Sequence, residues 1–152
     1  MKDPVSEDHP AAFAPQLYME DLPRAIEFYK SAFGAIEVRR LFNPDGSVHV
    51  AEMSIPPALF RLHQEVSRAR EYSPDTLEGT TVVIGLLVDD PDEMVANALA
   101  AGGKEISPVK DYEYGYRQGT IQDPFGHHWL LEKRIEKDLR GITNRKDAKA
   151  QR

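Results

Sequence analysis

Asp123-Pro124-Phe125-Gly126-His127-His128-Trp129-Leu130-Leu131-Glu132 reads as a tight turn opening into a strand. Pro124 and Gly126 are turn residues, the one presetting φ and the other tolerating conformations that side chains resist. From His128 onward the run carries aromatic and aliphatic weight in an extended pattern, and it is too short for a helix with its own caps. It closes the second of two half-chains that look like copies of one another. Met19-Glu20-Asp21 precedes one predicted helix and Val88-Asp89-Asp90 a second, 69 residues later; the same offset carries the helix stop Gly34 onto Gly103 and the segment around Arg61 onto that around Leu130. One offset serving the starts and ends of both halves marks an internal repeat.

Each half reads as β-α-β-β-β. In the first, residues 13–19 form a strand in which Pro15 is suspect, because proline is confined to strand edges and starts. Asp21 caps a helix with Pro23 in its first turn. Leu22, Ala25, Ile26, Tyr29, Ala32 and Phe33 lie at helical spacing along it. Residues 36–42 and 48–55 flank the hairpin signal Asn43-Pro44-Asp45-Gly46, and residues 59–63 make a short last strand. In the second half, residues 82–88 are a strand, and Asp90, Pro91 and Glu93 open a helix with a capping-box pattern. Met94, Val95, Ala98 and Leu99 form its stripe, and Gly102-Gly103 ends it. Residues 104–109 make a strand, 111–116 an aromatic loop, and 117–122 a further strand. The expected organisation is an N-terminal arm over 1–12, a first module over 13–65, a connector over 66–80, a second module over 81–134 and a basic tail over 135–152. From Lys133 the chain holds eight Lys and Arg against three Asp and Glu. That tail reads as a solvated terminus, or else as a docking segment for a partner or an anion.

The net charge is −6, which argues against a nucleic-acid partner, since such proteins show a basic footprint. Absence of cysteine excludes disulfides, thiolate metal sites and a cysteine nucleophile together. No apolar run approaches the roughly 20 residues of a membrane span, and no signal core opens the chain. A soluble cytoplasmic protein with no membrane partner is expected. No Ser-His-Asp ordering, phosphate-binding glycine loop or dinucleotide fingerprint is present, and Asp-Pro-Phe-Gly stands without any other kinase element.

The two β-α-β-β-β modules, the block Glu20-Asp21-Leu22-Pro23-Arg24-Ala25-Ile26-Glu27-Phe28-Tyr29-Lys30-Ser31-Ala32-Phe33-Gly34, Pro44-Asp45-Gly46 and Asp123-Pro124-Phe125-Gly126-His127 together resemble the vicinal oxygen chelate superfamily over residues 13–134. That superfamily includes glyoxalase I, extradiol dioxygenases and bleomycin-resistance proteins, and the chain is most similar to its PhnB-like branch. The resemblance implies an α+β fold whose tandem modules form a curled, cup-like mixed sheet, often completed by a homodimer. It also implies a test for metal. Enzymes of the superfamily hold one divalent ion with four side chains, and the matching positions here are Ala14, Arg61, Val83 and Leu130. Three have no donor atom, and a guanidinium does not ligate a cation. No metal or other cofactor is therefore expected in that alignment. Two residues further along each strand, on the same face, stand Gln16, His63, Gly85 and Glu132. Gln16, His63 and Glu132 are the alternative ligand set for one divalent metal ion, with an open fourth position suited to Lewis-acid chemistry.

Other side chains suit an organic ligand. Arg61 facing the cup needs an anionic partner, either a ligand group or Glu132. His128 shares the parity of Leu130, whereas His127 supports the turn and Trp129 packs under the helices. Tyr112, Tyr114, Tyr116 and Arg117 form an aromatic rim around a ligand, or a subunit contact. His49 and Glu52 have opposite parity on a middle strand, with their faces left open. The leading reading is a metal-independent binder of a small organic ligand, held by Gln16, Arg61, His63, Tyr114, Arg117, His128 and Glu132. The alternative is a divalent-metal-dependent lyase, isomerase or dioxygenase in which Glu132 or His128 moves a proton. A third reading is a non-catalytic dimer module whose tail recruits a partner.

Overall fold

The computed structural model describes residues 10–135. The arm expected over 1–12 lies outside the described residues except for its last three positions, and so does the tail beyond Ile135. The chain divides after Thr80 into two compact units, and the architecture is α+β in two β-α-β-β-β modules. No helix among the described residues is long and apolar enough to cross a membrane.

The first unit runs β1 (Gln16–Met19), α1 (Leu22–Phe33), β2 (Ile36–Phe42), β3 (Val48–Ile55) and β4 (Ala58–Gln64). Its sheet has the order β1-β4-β3-β2, with β1 parallel to β4 and the other pairs antiparallel. α1 starts where the Asp21 carboxylate accepts the Arg24 N–H at 3.1 Å. It stops at Gly34, whose φ of 65° closes the C-terminus in the left-handed conformation, which glycine adopts without a Cβ penalty. The predicted apolar stripe of α1 is fully buried. It packs on Leu17, Met19, Ala51, Met53, Phe60 and Leu62, all buried, and Tyr29 meets Phe60 edge to face. Strand alternation then turns Gln16, Tyr18, Glu52, Arg61 and His63 to the opposite, helix-free face.

The second unit runs β5 (Val83–Leu87), α3 (Pro91–Ala100), β6 (Lys104–Tyr112), β7 (Tyr116–Gln122) and β8 (His128–Arg134), in the sheet order β5-β8-β7-β6. The repeat survives at the level of register. Gln16 pairs with Arg61 as Gly85 pairs with Leu130, and Tyr18 with His63 as Leu87 with Glu132. The helices Leu22–Phe33 and Pro91–Ala100 start with the same displacement, each behind a capping aspartate.

Three expectations are corrected. The first strand begins at Gln16, not Phe13, because Pro15 has no N–H for the ladder; its carbonyl still accepts the Arg61 N–H at 2.9 Å. The strand after α3 continues to Tyr112, so the aromatic loop shrinks to a turn over 113–115, with Asp111 and Tyr112 pairing with Arg117 and Tyr116. The connector is folded: a 3-10 turn (Ser67–Ala69) precedes α2 (Pro74–Leu77). There the Ser73 hydroxyl accepts the Thr76 N–H, and the Glu65 carboxylate accepts the Ser73 N–H at 2.8 Å and the Thr76 hydroxyl at 2.6 Å.

The Asp-Pro-Phe-Gly-His turn is built around a buried carboxylate. Asp123, 2% exposed, accepts the N–H groups of Phe125 and His127 on Oδ1, both at 3.0 Å, and the indole N–H of Trp129 on Oδ2 at 2.9 Å. Asp123→Ala strands three donors, and each hydrogen bond to a charged group contributes about 1.5–3 kcal/mol. The substitution should cost about 3–5 kcal/mol, with Asp123→Asn losing less because one carbonyl acceptor remains. Urea unfolding followed by the fluorescence of Trp129, the one tryptophan of the chain, measures this. A loss under about 1 kcal/mol would show that the turn does not depend on Asp123.

Candidate functional site

Each sheet presents one face to its helix and leaves the other free, and the chemistry-bearing residues gather in cross-strand rows on the free faces. In the first unit one row runs Arg39–Glu52–Arg61–Gln16 across all four strands, and the next runs Leu41–Val50–His63–Tyr18. In the second unit the corresponding rows are Ser107–Thr120–Leu130–Gly85 and Lys110–Gln118–Glu132–Leu87, with Lys104–Gln122–His128–Val83 beside them. The frame repeats and the chemistry does not: the row that is ionic in the first unit is small and apolar-centred in the second.

Arg61 has a partner in Glu52, on the neighbouring strand. Glu52 accepts from Arg61 Nε at 2.9 Å and from Arg39 Nε at 2.8 Å, one oxygen to each. Burial opposes ionisation of Glu52, but the two guanidinium hydrogen bonds outweigh it and hold the carboxyl below its ordinary range. Beside this row, the Gln16 amide donates to the Tyr18 hydroxyl at 2.8 Å. His63 donates from Nδ1 to the Gln64 carbonyl at 2.7 Å and packs against the rings of Tyr18 and His49.

Glu132 is the opposite case. No hydrogen bond or ion pair holds its carboxylate among the described residues. Burial alone pushes its pKa up. It lies beside Leu87 and Gln118, with Oε2 leaning over Gly85, where a Cβ would sit only 2.9 Å from it. Glycine at 85 therefore makes the space this carboxylate occupies. The Gln118 amide donates to the Tyr114 hydroxyl at 2.7 Å, which orients that amide beside Glu132. His128 lies on the same free face, half-buried. Tyr114 stacks on Tyr112 with ring centroids 5.2 Å apart, and Tyr116 follows.

Arg117 is placed elsewhere. It binds Asp92 of α3 through Nε and Nη2, both at 2.8 Å, and Asp111 of β6 at 2.9 Å. It therefore stands on the helix side, tying three elements together, and shares no face with Glu132. His127 serves the turn through its backbone and Trp129 is buried. The sequence reading missed Arg39, Tyr18 and Gln118, left Glu52 unassigned, and named Gly85 only as a position in the shifted set. Only the strand register, through the pairs Arg39↔Glu52, Glu52↔Arg61 and Gln118↔Glu132, brings these residues to the site.

The superfamily's metal does not fit the residues at its positions. Ala14, Val83 and Leu130 end in hydrocarbon, and Arg61 is a cation bound to Glu52. In the shifted set Gln16 donates its amide N–H to Tyr18 and keeps its carbonyl oxygen, and Gly85 has no side chain. No group of three or more His, Cys, Asp or Glu suited to a metal ion occurs among the described residues.

Fold, repeat and turn chemistry define a class, and comparison agrees. A sequence model described as the Glyoxalase/Bleomycin resistance protein/Dioxygenase superfamily matches residues 8–131. The chain belongs to that superfamily. It is 37% identical over 123 residues to the protein Mb0911c of Mycobacterium bovis, covering 79% of this chain and 81% of that one. The crystal structure of the Arabidopsis thaliana At5g48480 product is similar at a TM-score of 0.64 and 31% identity, over 80% of this chain and 97% of that one. TioX from Micromonospora sp. ML1 shares the fold at a TM-score of 0.63 and 23% identity, over 81% and 95%.

Glu132 makes stability depend on pH with a definite sign. Its folded-state pKa lies above the ordinary 4.5, so the folded protein holds the proton more tightly than the unfolded chain. The stability from the neutral form is complete below the unfolded pKa and is lost as pH rises through the folded one. Glu132→Gln keeps the shape without the charge. The variant should melt above wild type at pH 8 and converge with it near pH 4. A wild type at least as stable as the variant at pH 8 would mean that Glu132 has a partner.

Proposed function

We propose that the chain is a small-molecule-binding protein of the glyoxalase/bleomycin-resistance type, acting without a resident metal. The observation that carries this reading is the Glu132 carboxylate, half-buried, unpartnered among the described residues and resting in the gap left by Gly85. A desolvated carboxylate gains most from a ligand that brings a cation or a strong N–H donor, because that contact replaces the lost hydration. Apolar Leu87 and Leu130 and the polar tips of Gln118 and Tyr114 flank it. The ligand is therefore an organic molecule with an apolar body and an ammonium or amidine-like group. Such sites are apolar walls with few convergent polar groups. His128, four residues back along the same strand face, adds a second polar group.

The same proposal places the chain in the PhnB-like branch, on the combination of the Asp-Pro-Phe-Gly-His turn and the block over 20–34. It takes the protein as a cytoplasmic homodimer. Exposed Val38 and Phe42 on the edge strand β2 support self-association, since such an edge invites pairing.

Isothermal titration with a panel of ammonium compounds, benzylamine first and benzyl alcohol as the neutral control, tests the site. Wild type should bind the amines saturably. Glu132→Gln should weaken them by about tenfold or more. Gly85→Ala should also weaken them, by displacing the carboxylate with little loss of stability, since a flexible side-chain end yields more readily than backbone. Equal affinity for amine and alcohol, or unchanged amine binding in Glu132→Gln, would overturn the reading.

A further inference from the structure

The free face of the first sheet holds a second group with unspent bonding capacity, of opposite sign to Glu132. Glu52 receives one guanidinium on each oxygen, so the anion is satisfied while the cations are not. A guanidinium carries five N–H donors. Arg61 and Arg39 each give Glu52 only Nε–H, and no partner holds their Nη groups among the described residues. Two cations around one carboxylate leave the cluster a net charge of +1. Gln16, next to Arg61 in the row, does not compete for it, because its carboxamide is turned to Tyr18. Arg61 is the better fixed of the two arginines, with a side chain 28% exposed against 62% for Arg39. It stands on a central strand, bonded at Nε and so held in orientation.

We propose that Arg61 is a carboxylate-recognition residue: its Nη1–Nη2 edge receives a ligand carboxylate, and Arg39 assists from the rim. The two terminal nitrogens of a guanidinium match the two oxygens of a carboxylate, in a pairing that lysine cannot reproduce. Glu52 is a positioning residue that fixes the fork and keeps it from folding back on the sheet. The assignment also accounts for the misfit at the superfamily's metal position, where this chain carries an oriented organic cation in place of a metal donor. It does not rest on Glu132, which lies in the other unit and selects the opposite charge.

The test uses the full chain and benzoate as probe, with benzamide as its neutral isostere. Titration calorimetry and thermal shift are run on wild type, Arg61→Ala, Arg61→Lys and Arg39→Ala, and circular-dichroism melting verifies that each variant is folded. Wild type should bind benzoate saturably and benzamide at least about tenfold more weakly. Arg61→Ala should abolish the difference, Arg61→Lys should weaken benzoate by about tenfold despite keeping the charge, and Arg39→Ala should weaken it less than Arg61→Ala. Two results would overturn the proposal: benzoate bound no better than benzamide by wild type, or benzoate bound as well by Arg61→Lys, which would reveal a diffuse positive field without a fork. Glu132→Gln carried in parallel separates the two proposals, since it should leave benzoate binding intact whether or not the amines bind.

Discussion

The Asp123 carboxylate sets the geometry of the second unit. A buried anion is tolerated only where donors surround it, and here the donors are two turn amides and the indole of Trp129. The amides close the turn, and the indole pulls Trp129 to the buried side. In a strand, fixing one side chain fixes every second one. Once Trp129 and Leu131 are buried, His128, Leu130 and Glu132 must face away from the helix. A slip of one residue would bury the carboxylate of Glu132 and expose the tryptophan, so the turn bond and the hydrophobic pattern enforce the same register.

The two units show how a repeated frame carries different chemistry. Register and helix starts keep one displacement throughout, because backbone pairing and capping depend on a few residues such as Asp21 and Asp90. The free-face positions are under no such constraint. Arg61 and Leu130 occupy corresponding places, as do His63 and Glu132. A strand position on the helix-free face tolerates a guanidinium, a leucine, an imidazole or a carboxylate without altering the ladder, and one fold can hold many sites for that reason.

Much of the fold was legible because its signals are local. Capping aspartates, Gly34, the Asp-Gly hairpin and the apolar stripes act within a few residues, and each marks the start or end of an element. The connector's short helix was missed although Ser73-Pro74-Asp75-Thr76 is itself a capping pattern; a single turn gives no periodicity to read. The site was legible only in part. Parity put His128 and Glu132 on the helix-free face and Trp129 on the buried one. Arg117 was misjudged because a strand residue next to aromatic neighbours gives no hint of Asp92, 25 positions away on a helix. Glu52 as the partner of Arg61, and Gly85 as the space for Glu132, depend on cross-strand register, which spacing along the chain does not encode.

The half-buried carboxylates fall into two groups by their contacts. Glu37 is paired with Arg40 and Lys30, Glu52 with two arginines, and Glu65 with Ser73 and Thr76. In each the contacts outweigh burial and the pKa falls. Glu132 is the one carboxylate among the described residues whose pKa is raised. An ionised group without a partner costs stability, and a glutamine would fill the same space at no such cost. The chain can supply partners for its acids wherever they serve the fold. Glu132, on the helix-free face and over a glycine that makes room for it, is left without one among the described residues.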